Sequence, residues 1–272
     1  MTSELQYEQL RSVTSWAAVV LAANPGPMTL SGTNTWVLSA PGSEGTIVVD
    51  PGPDDPTHLA TVAASAARVD AILLTHGHVD HSEGAAALHK LTGAPVRALD
   101  PRHNLGDEGL IEGAVVSAAG LERRVWATPG HTADSLAVLL DPGDGTAAMV
   151  LTGDTILGEG TTVVAYPDGN LADYLASLAR LQELGAAIVL PGHGPELPSA
   201  GEAAAAYLAH REERLVQVST ALAALGPDAT AAAIVNRVYA DVDRALWPAA
   251  ELSVRAQLAY LRDRSGGERG PE

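Results

Sequence analysis

One short stretch constrains this chain more than any other: the apolar run at 71–75 passes without a break into Thr75-His76-Gly77-His78-Val79-Asp80-His81. A buried strand that ends in four metal-binding side chains delivers them together at a sheet edge. His76 and His78 stand two apart on extended backbone and point to one side, while Asp80 and His81 fall where a helix begins and aim at a neighbouring point. That spacing suggests two adjacent cations. Three further apolar runs end in Pro129-Gly130-His131, Thr152-Gly153-Asp154 and Pro191-Gly192-His193, each with a small residue before the ligand-type side chain so that backbones can approach closely.

Between residues 36 and 190 the same rhythm repeats. Apolar or β-branched runs at 35–39, 46–50, 71–75, 96–99, 124–128, 135–140, 147–152 and 186–190 read as buried strands. Helical spacing at 56–67, 82–91 and 171–184 falls between them, with Asp54 or Asp55, Ser82 and Asn170 as N-caps. This is the α/β class, sheets covered by helices. After Pro195 the patterns at 202–225, 229–239 and 242–264 are helical, with no strand-like run between them. The chain is therefore expected to divide into a first, α/β domain, 1–195, and a helical appendage, 196–272, whose last residues, 265–272, are expected to be disordered.

Composition removes several function classes. With no cysteine, disulfide frameworks, thiolate nucleophiles and cysteine zinc sites are excluded, so any metal is held by His and carboxylate. Thirty-three acidic against 16 basic residues give a net charge of −17, which repels polyanions, so nucleic acid would need a local positive site. His210, Arg211 and Arg214 on the first appended helix are the candidates for contact with an anionic substrate. The polar N-terminus lacks a basic-then-apolar signal, and apolar windows fall far short of the roughly 20 residues of a membrane span. A soluble, cytoplasmic protein is expected. His58, His89 and His103 read as surface residues.

The set His76-x-His78-x-Asp80-His81, His131, Asp154 and His193 resembles the ligand set of the metallo-β-lactamase superfamily. The likeness spans about 36–193 and includes Val49-Asp50-Pro51-Gly52, where Asp50 braces the metal loop in that family. It implies an αββα sandwich, with His76, His78 and His131 on one divalent ion, Asp80, His81 and His193 on another, and Asp154 bridging. Zinc is the implied metal, with manganese or iron as alternatives. The stretch Asn24-Pro25-Gly26-Pro27-Met28-Thr29-Leu30-Ser31-Gly32-Thr33-Asn34-Thr35-Trp36 is similar to the opening of the lactamase-beta-2-like branch, which carries a winged-helix-like C-terminal domain. Little sequence follows the third helical pattern, so an incomplete wing is expected. Thr33 and Asn34 are then candidates for a substrate-lining loop.

The branch contains single-strand-specific endoribonucleases and polyketide thioesterases, so it implies a binuclear hydrolase in which a metal-bridging hydroxide attacks and Asp80 orients it. Single-stranded RNA is the first substrate reading, favoured by the Arg-bearing helices. An acyl thioester, with glyoxalase II-like chemistry, is the alternative, favoured by the acidic surface and short wing. Lactamases of the commonest zinc class place Cys where this chain has Asp154, and flavodiiron reductases carry Glu in place of His78, so neither fits. A persulfide dioxygenase and a non-catalytic metal-binding module rank below the hydrolases. The apolar residues of the appended helices are compatible with a homodimer.

Overall fold

The computed structural model describes residues 5–267. Its first sheet has six strands in sequence order, β1 (Leu10–Ser12), β2 (Ala17–Leu21), β3 (Asn34–Leu38), β4 (Gly45–Val49), β5 (Arg68–Leu73) and β6 (Val96–Arg97). They run antiparallel as far as β4, and β4, β5 and β6 are mutually parallel. The second sheet contains β7 (Val115–Ala118), β8 (Leu121–Ala127), β9 (Leu136–Leu140), β10 (Met149–Gly153) and β11 (Ile188–Pro191), in the order β11-β10-β9-β8-β7. Only its β10–β11 pair is parallel.

Strand alternation explains why both faces of the central strands are apolar. In β4, Ile47 and Val49 enter the core between the sheets with Trp36, Leu38, Val125, Val138 and Leu151, while Val48 faces the other way. There it packs with Leu59 and Val62 of α1 (Pro56–Ala64) and Leu88 of α3 (Ala85–Thr92). Val150 and Val189 of the second sheet meet Tyr174, Leu178 and Leu181 of α4 (Leu171–Gln182), and Ala204 and Tyr207 of α5 (Ala200–Leu225). The result is four layers, helix, sheet, sheet, helix, as the motif likeness implied.

Asp55 and Asn170 cap α1 and α4 as expected, each accepting from two backbone amides. Ser82 is not a cap. It closes the short helix α2 (Val79–Ser82), and α3 starts after Gly84. At the break the Gly84 N–H leaves the helix for the Gly52 carbonyl at 2.9 Å, and only glycine fits so close, since a Cβ there would lie 2.9 Å from the Pro53 carbonyl and 2.8 Å from Leu59. Three strands, β1, β2 and β7, were not read from the sequence.

Helices α5, α6 (Ala231–Val238) and α7 (Trp247–Gly267) pack on one another through Val218, Ile234, Val235, Val254 and Leu258, while the first half of α5 belongs to the layer over the second sheet. Ala256 of α7 also reaches the α4–α5 layer. Helix α7 continues past Ser265, where the disordered tail was expected to begin; the rest of that tail, 268–272, lies outside the described residues. Among the described residues no strand follows β11, and no helix is long and apolar enough to cross a membrane.

Candidate metal centre

The four ligand-bearing segments converge because the ends of β5, β10 and β11, and the turn between β8 and β9, open on one edge of the sandwich. There the seven sequence-predicted side chains form two groups, His76, His78, His131 and Asp154 in one and Asp80, His81 and His193 in the other. In the first, His78 Nδ1 lies 3.1 Å from both His76 Nε2 and His131 Nε2. In the second, Asp80 Oδ2 lies 3.3 Å from His81 Nε2 and 3.2 Å from His193 Nε2. Asp154 sits between them, 3.7 Å from His131 Nε2 and 3.4 Å from both His81 Nε2 and His193 Nε2.

The outer nitrogens decide what the inner ones can do. His131 Nδ1 donates to the Val163 carbonyl at 2.8 Å, His193 Nδ1 to the Gly32 carbonyl at 3.0 Å, and His81 Nδ1 to Asp50 Oδ2 at 2.9 Å. Thr75 spends its hydroxyl hydrogen on Asp50 at 2.7 Å, so His76 Nδ1 donates to Thr75 Oγ1 at 3.0 Å. Each of the four rings thus turns Nε2 inward. The Nε2 atoms of His81 and His193 face each other across 3.2 Å, and Asp154 Oδ1 is buried with no hydrogen-bond partner. Converging nitrogen lone pairs beside an orphaned carboxylate oxygen are what a cation requires, so these residues fit divalent metal ions. Gly192 leaves the room: a Cβ there would lie 2.5 Å from Asp154 Oδ1 and 2.7 Å from His81 Cε1.

Titration follows from the same contacts. Burial, with the His81 charge, pushes the His76 pKa well below its ordinary value, and burial lowers His131 as well. Burial also opposes protonation of His81, but Asp154 and Asp50 outweigh it and hold the pKa well above normal; at His193 burial is outweighed by Asp154, and the pKa is raised to about 9. Burial would raise Asp154, yet His81 and His193 keep it well below the usual range.

In the metal-free protein, protons therefore fill the gap between His81 and His193 at neutral pH. The raised folded pKa of His193 makes its share of this stabilisation complete below the unfolded value near 6.5 and removes it as pH climbs through about 9; the share from His81, also raised, is likewise lost as pH rises through its folded value. Cation uptake near neutral pH is expected to release protons, and to release fewer once pH passes about 9, where His193 is already neutral. Calorimetric zinc titrations in buffers of different ionisation enthalpy check this; proton release that does not change with pH would contradict it.

The other expected residues lie elsewhere. Thr33 is fully buried and donates to Asp80 Oδ2 at 3.3 Å, which braces the site, whereas Asn34, buried with its amide on the Pro191 and Gly194 carbonyls, also lines a cleft with Ser31, Glu159 and Gly194. Arg211 is buried, donates to the Thr162 carbonyl and stacks 5.1 Å from the Tyr174 ring, which ties α5 to the loop after Asp154. Arg214 lies over Tyr239 at 4.8 Å and bonds Gln217, and His210 is half-buried. These three are not drawn together with the metal groups.

Asp50 is buried and accepts from Thr75 N and Thr75 Oγ1 at 2.7 Å each and from His81, the bracing position the motif implied. His58 is not a surface residue; it is fully buried between Thr35 Oγ1 and Glu8 Oε2, at 2.8 Å from each. His89 and His103 are half-buried, His89 donating to the Ala94 carbonyl. Thr75 and Asn24 belong to the site's support but were not singled out. Asn24 looks like any turn residue before Pro, and its role depends on a partner nine residues away.

Residues 28–106 match the family model of the metallo-beta-lactamase superfamily, and 230–264 that of the beta-lactamase associated winged helix domain. A beta-lactamase-like protein 2 homolog from Caenorhabditis elegans is 30% identical over 96% of this chain and 89% of its own length. This chain belongs to the metallo-β-lactamase superfamily, in its lactamase-beta-2-like branch. An atrochrysone carboxyl ACP thioesterase from Aspergillus fumigatus is 34% identical over 75% of this chain, which spans 64% of that protein. A beta-lactamase domain protein from Burkholderia ambifaria superposes with a TM-score of 0.79 over 97% of this chain and 91% of its own at 21% identity, which shows the shared fold. The chain is accordingly a metal-dependent hydrolase of this fold. The winged-helix match falls on α6 and α7, so it rests on helices.

Proposed function

We propose that the chain is a binuclear acyl-thioester hydrolase. In this reading His76, His78, His131 and Asp154 would hold one divalent cation and Asp80, His81 and His193, with Asp154 shared, the other, and zinc suits this nitrogen and carboxylate donor set. When bound, such ions polarise a carbonyl oxygen and bring the pKa of water towards neutrality.

The chain's own residues do the rest. Burial opposes ionisation of Asp80, but the hydrogen bond from His193 and the neighbouring imidazoles lower its pKa, so at neutral pH its carboxylate is ionised and accepts a hydrogen bond from the attacking water. Thr33 fixes the direction of Asp80 Oδ2. Asp50 and the Val163 and Gly32 carbonyls keep the imidazoles in one tautomer.

The single observation that favours a thioester over RNA is the burial of Arg211. The guanidinium expected to meet phosphate is committed to the Thr162 carbonyl and the Tyr174 ring, while the protein carries a net charge of −17. The leaving group agrees with this. A thiolate, whose acid has a pKa of about 8.5, departs without a proton donor, whereas the alkoxide released from RNA needs one. The thioesterase relative points the same way.

The test is hydrolysis of an acyl-pantetheine thioester and of labelled single-stranded RNA by zinc- or manganese-loaded protein, beside an Asp80→Asn control. Thioester turnover that the control lacks is expected. RNA cleavage without thioester turnover would reverse the assignment.

A further inference from the structure

The two ligand groups are not supported alike. A loop that begins at Asn24 and ends at Thr33 is tied to itself by Thr29 Oγ1 on the Asn24 carbonyl at 2.6 Å, by Gly32 N on the Thr29 carbonyl at 2.8 Å and by the Gly26–Leu30 pairing. Its end touches the second group twice. Thr33 Oγ1 donates to Asp80 Oδ2, and the Gly32 carbonyl accepts from His193 Nδ1. Asn24 sets the direction of the first contact: its Nδ2 donates to Thr33 Oγ1 at 3.0 Å and its Oδ1 accepts from Thr33 N at 2.9 Å. With its oxygen occupied by Asn24, the hydroxyl has its hydrogen left for Asp80.

The backbone is shaped for this contact. Gly32 has φ +122, and a Cβ there would lie 2.3 Å from the Ala22 carbonyl and 3.2 Å from Asn24 Oδ1. Among the described residues, the first group draws its outer hydrogen bonds from elsewhere, Thr75 for His76 and Val163 for His131.

We propose that this loop, through Asn24 and Thr33, is a positioning device for the Asp80–His81–His193 group and sets how tightly that group holds its cation, independently of the group around His131. The inference rests on the binuclear reading. Outer partners of metal ligands are commonly worth roughly 10–100-fold in affinity, which gives the size of the effect.

The experiment titrates metal-free protein with zinc against a competing chelator and follows the imidazole nitrogen NMR signals of His193 and His131 separately. Wild type is expected to take up two equivalents. Thr33→Val and Asn24→Ala should weaken the step seen at His193 by roughly 10–100-fold and leave the step at His131 unchanged. Thr33→Ser, which keeps the hydroxyl, should bind as wild type does, and circular dichroism confirms that each variant is folded. Equal weakening at both histidines, or no weakening at His193, overturns the proposal while leaving two cations in place. Uptake of a single equivalent by wild type overturns the binuclear reading and the proposal with it.

Discussion

Asp154→Ala is expected to lose most of its bound metal and, with it, turnover by on the order of 10³-fold or more. Asp154 stands close to both groups, within 3.4 to 3.7 Å of the inner nitrogens of His81, His193 and His131, and its Oδ1 is buried without a partner. Removing it would take an oxygen ligand and a negative charge from between the two candidate cation positions, so the mutual repulsion of two dications there would no longer be offset. Elemental analysis of metal per chain, beside the turnover assay, gives the answer. His89→Ala, on α3 with its ring on the Ala94 carbonyl, is the control and should change neither quantity. Full metal content in Asp154→Ala would refute the two-cation arrangement.

Asp50→Ala should have the largest effect on the metal-free fold. Its carboxylate accepts from Thr75 N, Thr75 Oγ1 and His81 Nδ1 while almost completely buried, and alanine would leave those donors facing an empty space. A cost of about 3–5 kcal/mol is expected, because breaking a buried charged network strands its partners. Thermal unfolding of the metal-free variant should show a fall in Tm of roughly 10 °C. Asp50→Asn retains one accepting oxygen and should fall in between. Unchanged Tm for Asp50→Ala in metal-free protein would mean that Asp50 acts only through the metal.

The candidate ligands were legible because each depends on local backbone alone. A strand of fixed direction ending in Gly and His puts a side chain at the sheet edge wherever the rest of the chain goes, and His76, His78, Asp80 and His81 need only a strand followed by a helix start. The supports were not legible. Arg211 lies on α5, rich in alanine and with apolar and charged residues on several sides, so periodicity could not say which face is covered. It is buried because Tyr174 and the Thr162 carbonyl lie beneath it.

Arg123 shows the same difficulty in a strand. Started at residue 124, the reading leaves it outside; started at Leu121, as in β8, the alternation turns it inward, where Nη1 meets the Ala118 carbonyl at 2.8 Å. His58 is hidden by Glu8, fifty residues earlier in the chain, on an arm whose placement no local pattern encodes.

The sequence by itself determined eight of the strands, the helices between them and the identity of the groups available to a metal, since strand period, turn chemistry and ligand type are local properties, while the sandwich followed from the likeness of its motifs to a known family. Only the tertiary structure decided how close those groups stand to one another, which arginine is spent on packing, and that Asn24 and Thr33 stand behind Asp80. Those outcomes depend on side-chain direction and on contacts between segments far apart in the chain, and distance in space is not written in the spacing of residues along it.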